Sequence, residues 1–313
     1  MKTFRGLAVV TAVAVYLQVV LGSVVRITGS GLGCRDWPLC YQHETDRFAY
    51  RTLLEVAHRL VGTGTGLLVL ATAVFAFVLY RRGGRDGVEF PRALWIAALV
   101  WLGIYGFQAV LGGVTVLMKN SPFTVAIHLA NAEVALGAGI LVALWAGRLV
   151  APARASASLG GTPAMVAGLF AAYTIVVTGA VVVGTGASGA CTSWPLCGSA
   201  RTSLADVHML HRVVVGLGSI AILGAAYTGA RRWRGQGLAL AAYLTAFLLL
   251  AEVLVGAGQV LNGLPPALRS IHVALASGVW AGMVLLAGGA WLERERAGHA
   301  LAGAGARLAG VNP

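Results

Sequence analysis

The sequence predicts an all-α integral membrane protein whose eight transmembrane helices form two pseudo-symmetric four-helix bundles. Three observations lead there. Of the 313 residues, 58% are hydrophobic and only 11% charged, whereas a soluble domain carries roughly 25% charged residues. Eight apolar runs are long enough for a hydrocarbon core ~30 Å thick, which takes roughly 20 helical residues. The outer end of the first run leads into SGLGCRDWPLC, and half a chain later ASGACTSWPLC stands in the same setting.

The apolar runs fall near 7–25, 55–80, 93–117 and 124–147 in the first half, and near 164–184, 204–229, 238–260 and 270–292 in the second. The first run has no clear small-residue cleavage site and continues into a motif with an internal copy, so it reads as a span and not as a removed signal. Residues 1–147 form the N-terminal bundle and 164–296 the C-terminal one. Between them, 148–163 is an Arg/Pro/Ala/Ser/Gly-rich cytoplasmic linker, and 297–313 is a Gly/Ala tail expected to be disordered.

Three blocks of the halves align: 19–40 with 176–197, 53–68 with 204–220, and 108–130 with 252–276. They superpose His58-Arg59 on His211-Arg212, His128 on His272, and Pro122 on Pro266. Each half has an even number of spans, so both copies face the same way, related by an axis along the membrane normal.

The net charge of +12 is a topology signal. Lys2 and Arg5, Arg81, Arg82, Arg85 and Arg92, Arg148 and Arg154, Arg231, Arg232 and Arg234, and Arg294 and Arg296 all fall on one side of eight spans. That positive-inside pattern puts both termini in the cytoplasm and argues against nucleic acid as the partner. The cysteine loops then face the oxidising exterior, where local Cys34–Cys40 and Cys191–Cys197 bridges can persist, as loop staples or as a redox pair.

Seven histidines are present, and four of them form repeat-matched pairs near the outer ends of even-numbered spans: His58, His128, His211 and His272. Two per bundle on neighbouring helices suit a planar metal macrocycle gripped from both faces, and histidine is a usual axial ligand of haem iron. Glycines 62, 64, 66, 216 and 218 follow two of them and would let a ring approach, or serve helix packing. The alternative for the histidines is a hydrogen-bonded packing network; zinc-finger spacing is missing. His43 and His299 lie outside the pattern.

Function should lie where the copies differ, and Glu55 is replaced by His208 in the second half. A carboxylate three residues before His58 shares its helical face. In or near a bilayer such a group points to function, against the plainer reading of a helix-start residue favoured by the dipole. Arg59, Arg212 and Arg269 are placed to pair with haem propionates, although arginine is common at membrane interfaces. Gln18, Gln108 and Gln259 read as interhelical hydrogen-bonders, and Glu133 and Glu252 as members of a proton path. No phosphate-cradling loop or nucleophile elbow is visible.

Eight spans in a pseudo-repeat, the E-x-x-H-R element (Glu55, His58, Arg59), histidines in spans 2, 4, 6 and 8, and W-P-L-C loops together resemble the haem A synthase family, of the bacterial type with paired outer-loop cysteines. The resemblance covers about residues 7–292. It implies oxidation of the C8 methyl of haem O to a formyl group, through successive hydroxylations to a hydrate that collapses to the aldehyde. It further implies substrate haem on His58 and His128, Glu55 as the essential acid, and a haem b cofactor on His211 and His272. The pathway adds haem O synthase and an electron-transfer protein as partners. Two other readings use the same histidines: a di-haem electron-transfer cytochrome, and a haem transporter or chaperone, neither of which needs an acid in one half only.

Overall fold

A computed structural model describes residues 1–34, 36–38, 40, 49–83, 90–150, 162–198 and 202–308, with side chains as far as 295. Eight helices follow in order: α1 (Lys2–Ile27), α2 (Tyr50–Arg82), α3 (Arg92–Leu117), α4 (Pro122–Val150), α5 (Thr162–Gly184), α6 (Ser203–Arg232), α7 (Gly237–Leu261) and α8 (Pro266–Leu308). A short 3-10 turn, Ala187–Gly189, precedes α6, and no strand occurs among the described residues. All eight helices are long and apolar enough to cross a bilayer, where only internally bonded backbone is tolerated. The chain is a multi-pass membrane protein.

The helices outrun the apolar stretches that announced them, because the hydrogen-bond ladder continues into polar residues past the hydrocarbon boundary. Helix α2 begins at Tyr50 and not near residue 55, which moves Glu55 and His58 into its second and third turns. Helix α8 continues to Leu308, into the Gly/Ala residues expected as tail. Linker residues 151–161, His43 and residues 309–313 lie outside the described residues, as does the side chain of His299.

Local chemistry sets the boundaries. Helices α4 and α8 both open on proline, whose missing N–H costs nothing in a first turn. Thr202 caps α6 by accepting from the Ala205 amide at 3.1 Å. Helices α1 and α5 end just before Gly29 and Gly186, both at positive φ (68° and 77°), the left-handed conformation glycine enters freely. The turn before α4 passes through Lys119 and Asn120 at φ 52° and 56°, and its counterpart before α8 through Gly263 and Leu264 at 72° and 62°. The duplicated sequence therefore folds into duplicated turns.

In the first half α1 packs on α2, α2 on α3, α3 on α4, and α4 back on α1; α5 to α8 repeat that order. Between the halves, α4 lies against α5 and α8, and α1 against α8. Helix α8 is the most enclosed: 61% of its most apolar stretch is buried, against 22–39% for the other seven, which makes it the central element. Large apolar side chains such as Phe170, Ile220, Phe247 and Leu254 stand exposed on the outer faces, as lipid contact requires. At the arginine-rich end Glu293 of α8 gathers Arg232 (2.9 Å), the Trp233 indole N–H (2.6 Å) and Arg148 (3.6 Å), tying α6 and α4 to α8. A cleft of about 840 Å³ opens there between α1, α4 and α8, lined in part by Arg5, Tyr16, Leu136 and Glu293, and none of the four matched histidines lines it.

Candidate functional site

His58 and His211 each stand eight residues past the start of α2 and α6, and His128 and His272 each six past the start of α4 and α8. Helices α2 and α4 occupy diagonal corners of the first ring, since each packs on α1 or α3 and not principally on the other; α6 and α8 hold the same corners of the second. The paired side chains face inward closely enough to interact electrostatically, His58 with His128 and His211 with His272.

Each imidazole is seated on a glycine of the preceding helix. A Cβ on Gly22 would come within 3.0 Å of His58 Cε1, on Gly112 within 3.3 Å of His128, on Gly179 within 3.2 Å of His211, and on Gly256 within 3.1 Å of His272. These contacts are tighter than ordinary side chains make, so the glycines set where the rings lie. Of the glycines singled out in the sequence, Gly64 and Gly216 face open space, and Gly62, Gly66 and Gly218 meet Gln18, Tyr105 and Ile175.

Each ring also has a polar neighbour. Gln18 Nε2 lies 3.0 Å from His58 Nδ1 and donates to the His58 carbonyl at 3.0 Å. Thr178 Oγ1 is 2.9 Å from His211 Nδ1. Gln108 Nε2 is 3.2 Å from His128 Nε2, and its Oε1 accepts from Asn131 Nδ2 at 2.8 Å, which fixes the amide. Glu252 Oε1 is 2.7 Å from His272 Nδ1, a hydrogen-bond distance with the ring nitrogen not yet aligned on the oxygen. Gln108 and Glu252 occupy the same position in the two copies.

Glu55 is buried. Its Oε2 accepts from the Cys34 amide at 2.9 Å, and its Oε1 pairs with Arg59 one turn on. Arg59 continues into the cysteine loop, donating to the carbonyls of Cys34 (2.9 Å) and Asp36 (2.6 Å). Arg59 also reaches the Pro38 carbonyl at 3.4 Å, and in the second copy Arg212 keeps the contacts matching Asp36 and Pro38, to Ser193 (2.8 Å) and Pro195 (3.0 Å). His208, buried like Glu55, lies with Nδ1 3.1 Å from the Ala187 carbonyl. Both cysteine pairs are disulfide-bonded, Cys34–Cys40 and Cys191–Cys197, with Cα atoms 5.3 and 4.7 Å apart.

Two further features lie between the halves. Arg269 of α8 neighbours Arg26 at the end of α1, whose Nε is buried without a partner, and among the described residues neither makes an ion pair. Deeper in, Glu133 of α4 is fully buried against α8: Ser277 Oγ donates to its Oε1 at 2.5 Å, the Trp280 indole donates to its backbone carbonyl at 2.7 Å, and Oε2 has no partner.

The COX15-CtaA model, described as cytochrome oxidase assembly protein, matches residues 5–284. The chain belongs to this family. It is 32% identical over 285 residues to the Heme A synthase of Geobacillus kaustophilus, covering 88% of this chain and 86% of that protein. It is 30% identical over 301 residues to the Heme A synthase of Geobacillus thermodenitrificans (91% and 92% covered), and 29% identical over 244 residues to that of Bacillus licheniformis (75% and 78%).

The candidate site is thus two histidine pairs, each ring set by a glycine and a polar neighbour, with a buried acid one turn before the ligand, Glu55, in the first half and a buried acid facing the ring from the neighbouring helix, Glu252, in the second. Sequence reasoning singled out the histidines and Glu55 as candidates. It missed the glycine seats, although Gly22 and Gly179 are an identity in the first repeat block and Gly112 and Gly256 one in the third. It also missed Arg26, which no repeat comparison highlights because its counterpart is Val183.

Proposed function

We propose that the chain oxidises the C8 methyl of haem O to the formyl group of haem A within the membrane, for use by terminal oxidases. What carries this reading is the inequality of the two histidine pairs: only in the first does a buried carboxylate, Glu55, stand one turn before a histidine on the same helix, where the second half has His208. His58 and His128 hold the substrate haem; His211 and His272 hold a haem b. The residues fit such a group: four imidazoles in facing pairs, each laid over a glycine with no Cβ, and Nδ1 of His128 buried without a partner.

When bound, haem b supplies one-electron chemistry. The chain's own residues do the rest. The histidines of the diagonal helices would hold the macrocycle, and Glu55 would offer a carboxylate that takes a proton from the reacting side or stands beside positive charge there. The Cys34 amide and Arg59 hold that carboxylate still. Arg59 is taken up by Glu55 and the cysteine loop, which leaves Arg212, whose Nη2 has no partner, and Arg269 with Arg26 beside it as the cations that would meet propionates at the outer edge. The arginine-rich ends and both termini face the cytoplasm, and the disulfide loops face outward. Haem O synthase and an electron-transfer protein are the expected partners.

The test is haem extraction and chromatography from membranes of a haem-A-deficient host supplied with haem O and expressing this chain. Haem A or its hydroxymethyl precursor is the expected product. Bound haem B with haem O unchanged, in folded protein with a compatible electron partner, would overturn the assignment.

A further inference from the structure

Glu252 is buried in α7, and its Oε1 lies 2.7 Å from His272 Nδ1. At the same position of the first half stands Gln108, a neutral amide locked by Asn131 and directed at His128 Nε2. Asn131 itself is replaced by Leu275 in the second copy, an apolar side chain with no donor to compete for the Glu252 carboxyl. The halves thus treat the ring of the eighth-helix ligand and that of the fourth-helix ligand oppositely: one faces a carboxyl acceptor at Nδ1, the other an amide donor at Nε2.

A ligating histidine that donates its remote N–H to a carboxylate is fixed in tautomer and orientation and becomes a stronger electron donor to its metal. Glu252 Oε1 is close enough to take the proton of Nδ1 once the ring turns onto it, and Nε2 of His272 would then be the nitrogen left for iron. A stronger donor stabilises the ferric state and lowers the reduction potential, whereas a neutral amide leaves the ligand near its ordinary basicity.

We propose that Glu252 is a positioning residue that sets the His272 tautomer and holds the haem of the C-terminal half at a lower potential than that of the N-terminal half. This rests on the haem-ligation reading above. The pair Glu252/Gln108 makes the sites inequivalent in redox terms, as Glu55/His208 makes them inequivalent in acid chemistry.

The experiment is a redox titration of the purified, haem-loaded full chain, followed optically and by electron paramagnetic resonance of each low-spin centre. Glu252→Gln is expected to move the C-terminal centre to more positive potential and alter its signal while the N-terminal centre stays put. An unmoved potential with haem retained overturns the proposal. Should that variant lose its haem, Gln108→Glu decides: a fall in the N-terminal centre's potential upholds the carboxylate's role, and no fall overturns it. Wild-type protein that binds no haem in either half would overturn the haem reading itself, a result the potentials of the variants cannot mimic.

Discussion

The four glycine seats place an unusual demand on single positions. Gly22 and Gly179 lie against His58 and His211 so closely that a branched side chain must displace the ring. Gly22→Val and Gly179→Val are each expected to strain their own half by about 1–3 kcal/mol of overpacking. Haem content of the purified protein should fall in that half alone, and Gly216→Val, which points into open space, should keep it. Equal haem in all three would mean the rings are not set by these contacts. At Glu55 the expected result is loss of formyl formation in Glu55→Gln with haem retained in the C-terminal half; normal haem A yield from that variant would sink the role given to the acid. Residues were legible in the sequence to the extent that the repeat exposed them. Four histidines at matched depth and one unmatched acid stand out in an alignment of the halves, whereas a seating glycine looks like any packing glycine. That Glu252 stands beside His272 is not legible in the sequence, because the two lie on different helices twenty residues apart, a contact that no local pattern encodes.

The elements were legible as spans but not in their ends. Apolar length reports the hydrocarbon core, and residues 50–54, which precede the apolar run read from the sequence, are already helical, so the place of Glu55 in its helix could not be read from hydropathy. The loops were legible as copies, yet the way they are fastened was not. Arg59 and Arg212 rise from α2 and α6 and bind carbonyls of the loop before them, two contacts for Arg212. Hydrogen bonds from a charged donor contribute about 1.5–3 kcal/mol. Arg212→Ala should therefore open the second loop at least ~10-fold more often, by the tenfold per 1.4 kcal/mol relation. The measurement is the rate at which Cys191–Cys197 is reduced and alkylated in intact protein, with Cys34–Cys40 as internal reference. No change in the ratio of rates would show that the arginine does not fasten the loop.

At the scale of the whole molecule, the halves meet where α4 and α8 touch, and the chemistry of that seam is concentrated at Glu133. Ser277→Ala removes the donor to Oε1 and leaves both carboxyl oxygens without a partner in a fully buried place. The expected cost is about 1–3 kcal/mol, read as a lower melting temperature in detergent; an unchanged melting temperature would mean water or a rearranged neighbour serves the acid. Glu133 and Ser277 each lie five residues beyond a matched histidine, so they are one position of the duplicated unit meeting itself. Suppose the unit existed as a single short gene whose product paired with its twin. Whatever residue stood here would have faced its own copy: two acids competing for a proton, or two hydroxyls with no strong acceptor. A carboxylate opposite a hydroxyl at this point needs two sequences that mutate separately, which the fused gene supplies. The seam is thus a record of why joining the copies was consequential: it released a fully buried position from the obligation to match itself.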